Sequence, residues 1–264
     1  MSFKINNLPI GIFDSGVGGL SVLNAVRQLL PNENLIYVAD SAYTPYGEKT
    51  DQQIEDRVLL ISEFLQGKNV KAMVVACNTA TAAAVNSLRE KYDCPIVGLE
   101  PALKPAAEAS HNKRVGVLAT QATLRSKKYL SLKENFSPNL EIFEKASPLF
   151  VSLVEESEAI SEKEYRLIEA ELSYFQNANI DSLVLGCTHY PFLTDAISKI
   201  MGDHVTLYES SMAVAIELRR RLENNLNTNC NQGTSHFYST EPESARVKFN
   251  RLMQQPVTLR SLNL

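Results

Sequence analysis

The chain has little cysteine: four residues in 264, none arranged as C-x-x-C. That is too few to staple a fold of this length with disulfides, and it leaves no ligand spacing for a structural zinc. An excess of basic charge is also missing, since 26 Lys and Arg face 30 Asp and Glu for a net charge of -4. A protein built to neutralise a phosphate backbone would be strongly basic, so nucleic acid is not an expected partner. Long apolar runs are absent as well. The longest, such as 72–77, fall far short of the roughly 20 residues that cross a bilayer, and no membrane partner is expected. No apolar segment of signal-peptide length precedes Gly11, so a cytoplasmic, reducing compartment is the expectation. Two nucleotide signatures fail too. A G-x-G-x-x-G reading from Gly16 meets Ser21 where the third glycine belongs, and no G-K-[ST] occurs, so no nucleotide cofactor is expected.

What is present is an ordinary globular composition, 44% hydrophobic and 21% charged, in a length that suits one large or two compact domains. Short apolar runs alternate with amphipathic stretches, the pattern of an α/β chain with parallel sheets. The apolar runs predict strands at 10–13, 35–39, 72–76, 96–98, 115–119, 182–185 and 206–208. The amphipathic stretches predict helices at 20–30, 52–68, 79–92, 162–175, 191–201 and 213–222. The polar, Asn-rich segment 224–232 reads as a surface loop, followed by a strand at 236–240 and a closing helix at 245–254.

A weak internal repeat runs through this pattern. Gly11-Ile-Phe-Asp14-Ser15 is echoed by Gly116-Val-Leu-Ala-Thr120, and Val75-Ala-Cys77-Asn78-Thr79 by Leu185-Gly-Cys187-Thr188-His189. The two pairs keep the same order and nearly the same spacing, which favours two similar halves. Such a chain binds its ligand outside the carboxyl ends of its strands, where both cysteines fall.

Those strand ends carry the candidate chemistry. Asp14 and Ser15 stand at a strand tip before the glycine-rich run 16–19, where backbone N–H groups and an acid would hold a carboxylate or an ammonium. A plain tight turn with Asp14 as helix cap is the simpler reading of the same residues. Cys77 and Cys187 each end an apolar run and precede a predicted helix, whose N-terminus would lower the thiol pKa. An inert buried cysteine is the alternative for either alone, and the matched contexts weigh against it. Cys94 and Cys230 have no such surroundings. His189 near Cys187 invites a thiol hydrolase or a metal site, but no orienting group and no further ligands are spaced to complete either. Pro45-Tyr46-Gly47 reads as a tight turn able to offer amides to a ligand. Glu155 and Glu156 read as the start of a polar helical stretch, exposed by default.

Taken together, Phe13-Asp14-Ser15-Gly16-Val17-Gly18-Gly19, Pro45-Tyr46-Gly47, Ala76-Cys77-Asn78-Thr79-Ala80 and Gly186-Cys187-Thr188-His189-Tyr190-Pro191 resemble the glutamate racemases of the aspartate/glutamate racemase superfamily. The resemblance implies two pseudo-symmetric parallel-sheet (Rossmann-like) α/β domains, 1–98 with 208–264 and 99–207, and an active site in the cleft between them. It implies racemisation of free glutamate without cofactor or metal, serving peptidoglycan synthesis, by a homodimer. Cys77 would work on the D-enantiomer and Cys187 on the L-enantiomer. Asp14 would assist Cys77 and meet the substrate ammonium, His189 would assist Cys187, and Glu155 would act with them as a catalytic acid. Ser15, Asn78, Thr79 and Thr188, with the Tyr46 and Gly47 amides beside Pro45, would hold the carboxylates and the amino group. Relatives often carry a cysteine at Ala146 or Ser147 and an Asp at Glu209, two departures away from the proton-transfer positions. An aspartate racemase, or a non-catalytic binder on the same fold, is the alternative.

Overall fold

Residues Ile-Gly-Ile-Phe-Asp are apolar toward both faces, and they form β1 (Ile10–Asp14), buried along its length at the centre of a sheet. The structure, a computed structural model, describes residues 5–228 and 230–264. Residues 1–4 and Asn229, which belongs to the predicted surface loop, lie outside the described residues. From β1 the chain runs through α1 (Leu20–Leu29), β2 (Leu35–Ala39), α2 (Asp51–Gly67), β3 (Ala72–Val75), α3 (Asn78–Lys91) and β4 (Ile96–Gly98). A second series follows: α4 (Leu103–Ala109), β5 (Arg114–Ala119), α5 (Gln121–Arg125), α6 (Lys127–Glu134), β6 (Glu141–Ala146), α7 (Pro148–Glu156), α8 (Glu162–Asn177), β7 (Ser182–Gly186), α9 (Thr194–Met201) and β8 (Thr206–Tyr208). The chain closes with α10 (Ser211–Leu222), β9 (Ser235–Ser239), α11 (Pro242–Met253) and β10 (Leu259–Ser261).

All strand pairs are parallel. One sheet has the order β10-β9-β2-β1-β3-β4 and the other β6-β5-β7-β8. Within the first, β2-β1-β3-β4 repeats the order of the second, so the echo of Gly11 in Gly116 and of Cys77 in Cys187 is an echo of whole strands. β9 and β10 extend the first sheet beyond the repeat, and Phe249 of α11 packs its ring on Tyr37 of β2 and Phe237 of β9.

Some predicted elements shift. The helix expected at 191–201 is split into a 3-10 turn, Tyr190–Leu193, and α9. β6, β10 and α4 to α7 are present without having been predicted. Glu155 lies in the last turn of α7 and is buried; only Glu156 is exposed, so the expected exposed acids are half corrected.

Gly67, the last residue of α2, has nothing within 4 Å of where a Cβ would stand. Gly67→Ala is therefore expected to stabilise the protein by roughly 0.5–1 kcal/mol, by reducing the freedom of the unfolded chain. A urea midpoint at or below that of the unaltered protein would contradict this.

Candidate active site

The register of the central strands decides what faces the cleft. Phe13 pairs with Val75, so two residues onward Ser15 stands level with Cys77. Ala119 pairs with Gly186, so one residue onward Thr120 stands level with Cys187. Both cysteines are free and buried, and both line one cavity of about 160 Å³. Pockets for drug-sized ligands run to roughly 300–1,000 Å³, so this one takes a small molecule.

Ser15, Pro45, Tyr46, Gly47, Asn78, Thr79, Thr188 and His189 share the lining with the two thiols. Asp14 and Glu155 do not line it; both are buried behind it. Thr120, Gln121, Glu48, Pro148, Val151 and Ser152 line it without having been predicted. For Thr120 a signal existed, because the repeat makes it the counterpart of Ser15. Val151 and Ser152 belong to α7, whose helix the sequence pattern concealed.

The frame around the cavity is tied across elements. The Tyr46 hydroxyl donates to Asp40 Oδ2 at 2.7 Å, and Arg57 of α2 pairs with Asp40 Oδ1 at 2.7 Å, so the 45–47 turn is fixed from below. The Thr44 hydroxyl donates to the Ser15 carbonyl. The hydroxyls of Thr79, Thr120 and Thr123 lie 2.9 to 3.3 Å from one another and join the start of α3 to the start of α5.

On one side Cys77 caps α3, and its sulfur accepts the Ala80 amide at 3.5 Å. The expected lowering of its pKa does not follow. Burial and then the charge of Asp14 push the thiol well above its ordinary value, outweighing the helix amide. Asp14 itself is pushed up by burial, against the charge of His189, the Gly19 and Ser15 amides and Cys77. Its Oδ2 accepts the Gly19 amide at 2.7 Å, so the simpler reading of Asp14, as a brace for the start of α1, is also realised. Its Oδ1 and Asn78 Oδ1 are buried with no hydrogen-bond partner among the described residues. Two such acceptors suit a donor such as an ammonium group.

On the other side the helix expected after Cys187 is only the 3-10 turn, and a histidine takes its place. His189 Nδ1 lies 3.7 Å from the Cys187 sulfur, and Nε2 donates to Glu155 Oε1 at 2.9 Å. Burial opposes a charge on His189, but hydrogen bonds and charge from Cys187 and Glu155 overcome it and hold the ring's pKa well above its ordinary value. Glu155 is drawn the other way: burial raises it, while His189, Lys248 and the Val17 amide bring it down to about 2. Val17 donates to Glu155 Oε1 at 3.1 Å, which presses the 15–19 loop against the pair. A Cβ on Gly18 would strike His189 Nδ1, and one on Gly16 would strike Glu155 Oε1. These glycines are set by close approach to the ring and the carboxylate.

The two departures have plain places. Ala146 ends β6, Ser147 is buried with its carbonyl accepting the Tyr190 hydroxyl at 2.8 Å, and Glu209 accepts the Ser211 amide at 2.6 Å at the start of α10. Among the described residues no helix is long and apolar enough to cross a membrane. Chemically, the cavity brings a thiol whose protonated form burial favours, and a sulfur beside an imidazole whose charged form its neighbours favour, to one small molecule from two equivalent strand ends. That arrangement can take a proton from an atom held between them and return one from the opposite side.

The family model described as Asp/Glu/Hydantoin racemase matches residues 16–218. A glutamate racemase of Ralstonia pickettii is 50% identical over 214 residues, 81% of this chain and 76% of that protein. The crystal structure of a glutamate racemase isoform from Bacillus anthracis superposes with a TM-score of 0.87 at 30% identity, covering 98% of each chain. The glutamate racemase of Francisella tularensis, whose structure was determined in complex with D-glutamate, superposes with a TM-score of 0.84 at 34% identity, again covering 98% of each chain.

Proposed function

Since the chain belongs to the Asp/Glu/hydantoin racemase family, we propose that it interconverts L- and D-glutamate by proton transfer between two cysteines, without a cofactor. The observation that carries this reading is the pair Cys77 and Cys187, buried at equivalent strand ends and lining one cavity. Glutamate is favoured over aspartate because relatives at 44–50% identity over most of this chain are glutamate racemases. A non-catalytic binder would have no use for two opposed thiols.

In this reading Cys187, 3.7 Å from His189 Nδ1, takes the α-proton of L-glutamate. Cys77, held as a thiol, delivers a proton to the other face and gives D-glutamate; the reverse direction exchanges the roles. Asn78 receives the substrate ammonium, and Asp14, buried behind the cavity wall, acts on it and on Cys77 through its carboxyl group. The hydroxyls of Ser15, Thr79 and Thr188, with the Tyr46 and Gly47 amides, hold the carboxylates. Negative charge grows on the α-carboxylate as the proton leaves, and donors fixed there in advance lower the barrier most. Among the lining residues His189 alone can carry positive charge, so it balances the anionic substrate as well as the thiolate. The enzyme would act in the cytoplasm as a homodimer and supply D-glutamate for peptidoglycan synthesis.

The test uses purified protein in heavy water with D-glutamate, and separately with D-aspartate, no cofactor added. Loss of optical rotation with α-deuterium uptake is expected for glutamate alone. A preference for aspartate would move the assignment to a sister activity, and silence with both would overturn catalysis.

A further inference from the structure

Glu155 is also reached from a helix outside the cavity lining. Lys248 of α11 donates to Glu155 Oε2 at 3.2 Å, and Arg251, one turn on, donates to the Val154 carbonyl. α11 packs on the first sheet through Phe249, whereas Glu155 lies on α7, which follows β6 of the second. The clasp therefore joins the two halves behind the site. The carboxylate oxygens are divided between them: Oε1 serves His189 and the Val17 amide, Oε2 serves Lys248. A carboxylate held at one oxygen turns about a broad terminal torsion; held at both, it presents a fixed acceptor to the imidazole. The charged groups facing His189 are Cys187 from its own segment, Asp14 from β1 and Glu155 from α7. Lys248 and Arg251 of α11 act on it through Glu155.

We propose that Lys248 is a positioning residue for the Cys187 side of the site, fixing the Glu155 carboxylate that sets the His189 ring against the sulfur. The kinetic part of this inference rests on the reaction proposed above, and the structural part does not.

The test follows the ring of His189 by NMR in histidine-labelled protein, its signal identified by its loss in His189→Asn. Loss of a cation alone would favour the imidazolium and move the titration to higher pH. Release of Glu155 weakens the carboxylate contact and moves it to lower pH. Lys248→Met is expected to move it lower, in the same direction as Glu155→Gln, with Lys248→Arg restoring it. In parallel kcat for glutamate should fall about tenfold with KM changed less than twofold. A His189 titration that stays in place or moves higher in Lys248→Met overturns the proposal. Should the unaltered protein fail to racemise glutamate, the proposed reaction falls and the titration still decides the role of Lys248.

Discussion

Serine at Cys77 or at Cys187 is expected to slow racemisation by about two to four powers of ten, the contribution that positioned general acids and bases make. The substitution keeps nearly the same volume at each strand end, and at position 77 it keeps an acceptor for the Ala80 amide, which the cysteine sulfur takes at 3.5 Å. What it removes is a thiol, a far stronger acid than the hydroxyl that replaces it. Because each thiol faces one side of the substrate in the proposed reaction, loss of one leaves proton removal possible only from the other. Residual α-deuterium uptake in either variant is therefore expected in a single enantiomer, without inversion. Polarimetry and mass spectrometry on the same samples check both statements, and unchanged turnover in either variant would end the two-thiol scheme.

Gly18→Ala is expected to lower kcat by about a hundredfold, the scale on which a displacement near 1 Å at a reacting group acts. The added methyl would strike His189 Nδ1, the ring atom that faces Cys187, and it would lie 2.7 Å from Thr188 Oγ1. The ring, a side chain, is what gives way, since the loop leaves β1, which is buried and paired on both edges. The fold should survive, with a cooperative urea transition and the same m-value as the unaltered protein. A Gly18→Ala variant with the original kcat would show that the ring is not needed where it stands.

Much of this architecture was legible because β1, β3 and β7 are buried on both faces, which turns them into continuous apolar runs. β6 was not, since it is an edge strand reading Glu-Ile-Phe-Glu-Lys-Ala with no fully buried residue. The helices α4 to α7 escaped for a different reason: at five to nine residues they are too short to establish a period. Glu155 was misplaced along with α7, because two adjacent acids suggest a solvated face, and the buried one is satisfied only by residues distant in sequence. The lining residues came through well, as turn and strand-end motifs carry their identity locally. Ionisation did not. A helix N-terminus at Cys77 was visible in the sequence, but the depth of burial and the placement of Asp14 beside it are tertiary facts, and they decide the sign. Lys248 meets Glu155 only because α11 folds back onto the first sheet.

The two halves repeat their strand order yet equip their sulfurs differently: Asp14 has Ala119 as its counterpart in the second half, and His189 has Thr79 as its counterpart in the first. Mirror-image substrates have equal free energies in water, so a racemase must show the same kcat/KM for both, whatever the inequality of its two sides. In the proposed reaction the unlike partners of Cys77 and Cys187 can therefore express themselves only as paired changes, a higher kcat for one enantiomer balanced by an equally higher KM. The repeated strand order places the two sulfurs at equivalent strand ends, and in the proposed reaction their unlike neighbours are free to tune saturation for each hand of the substrate separately.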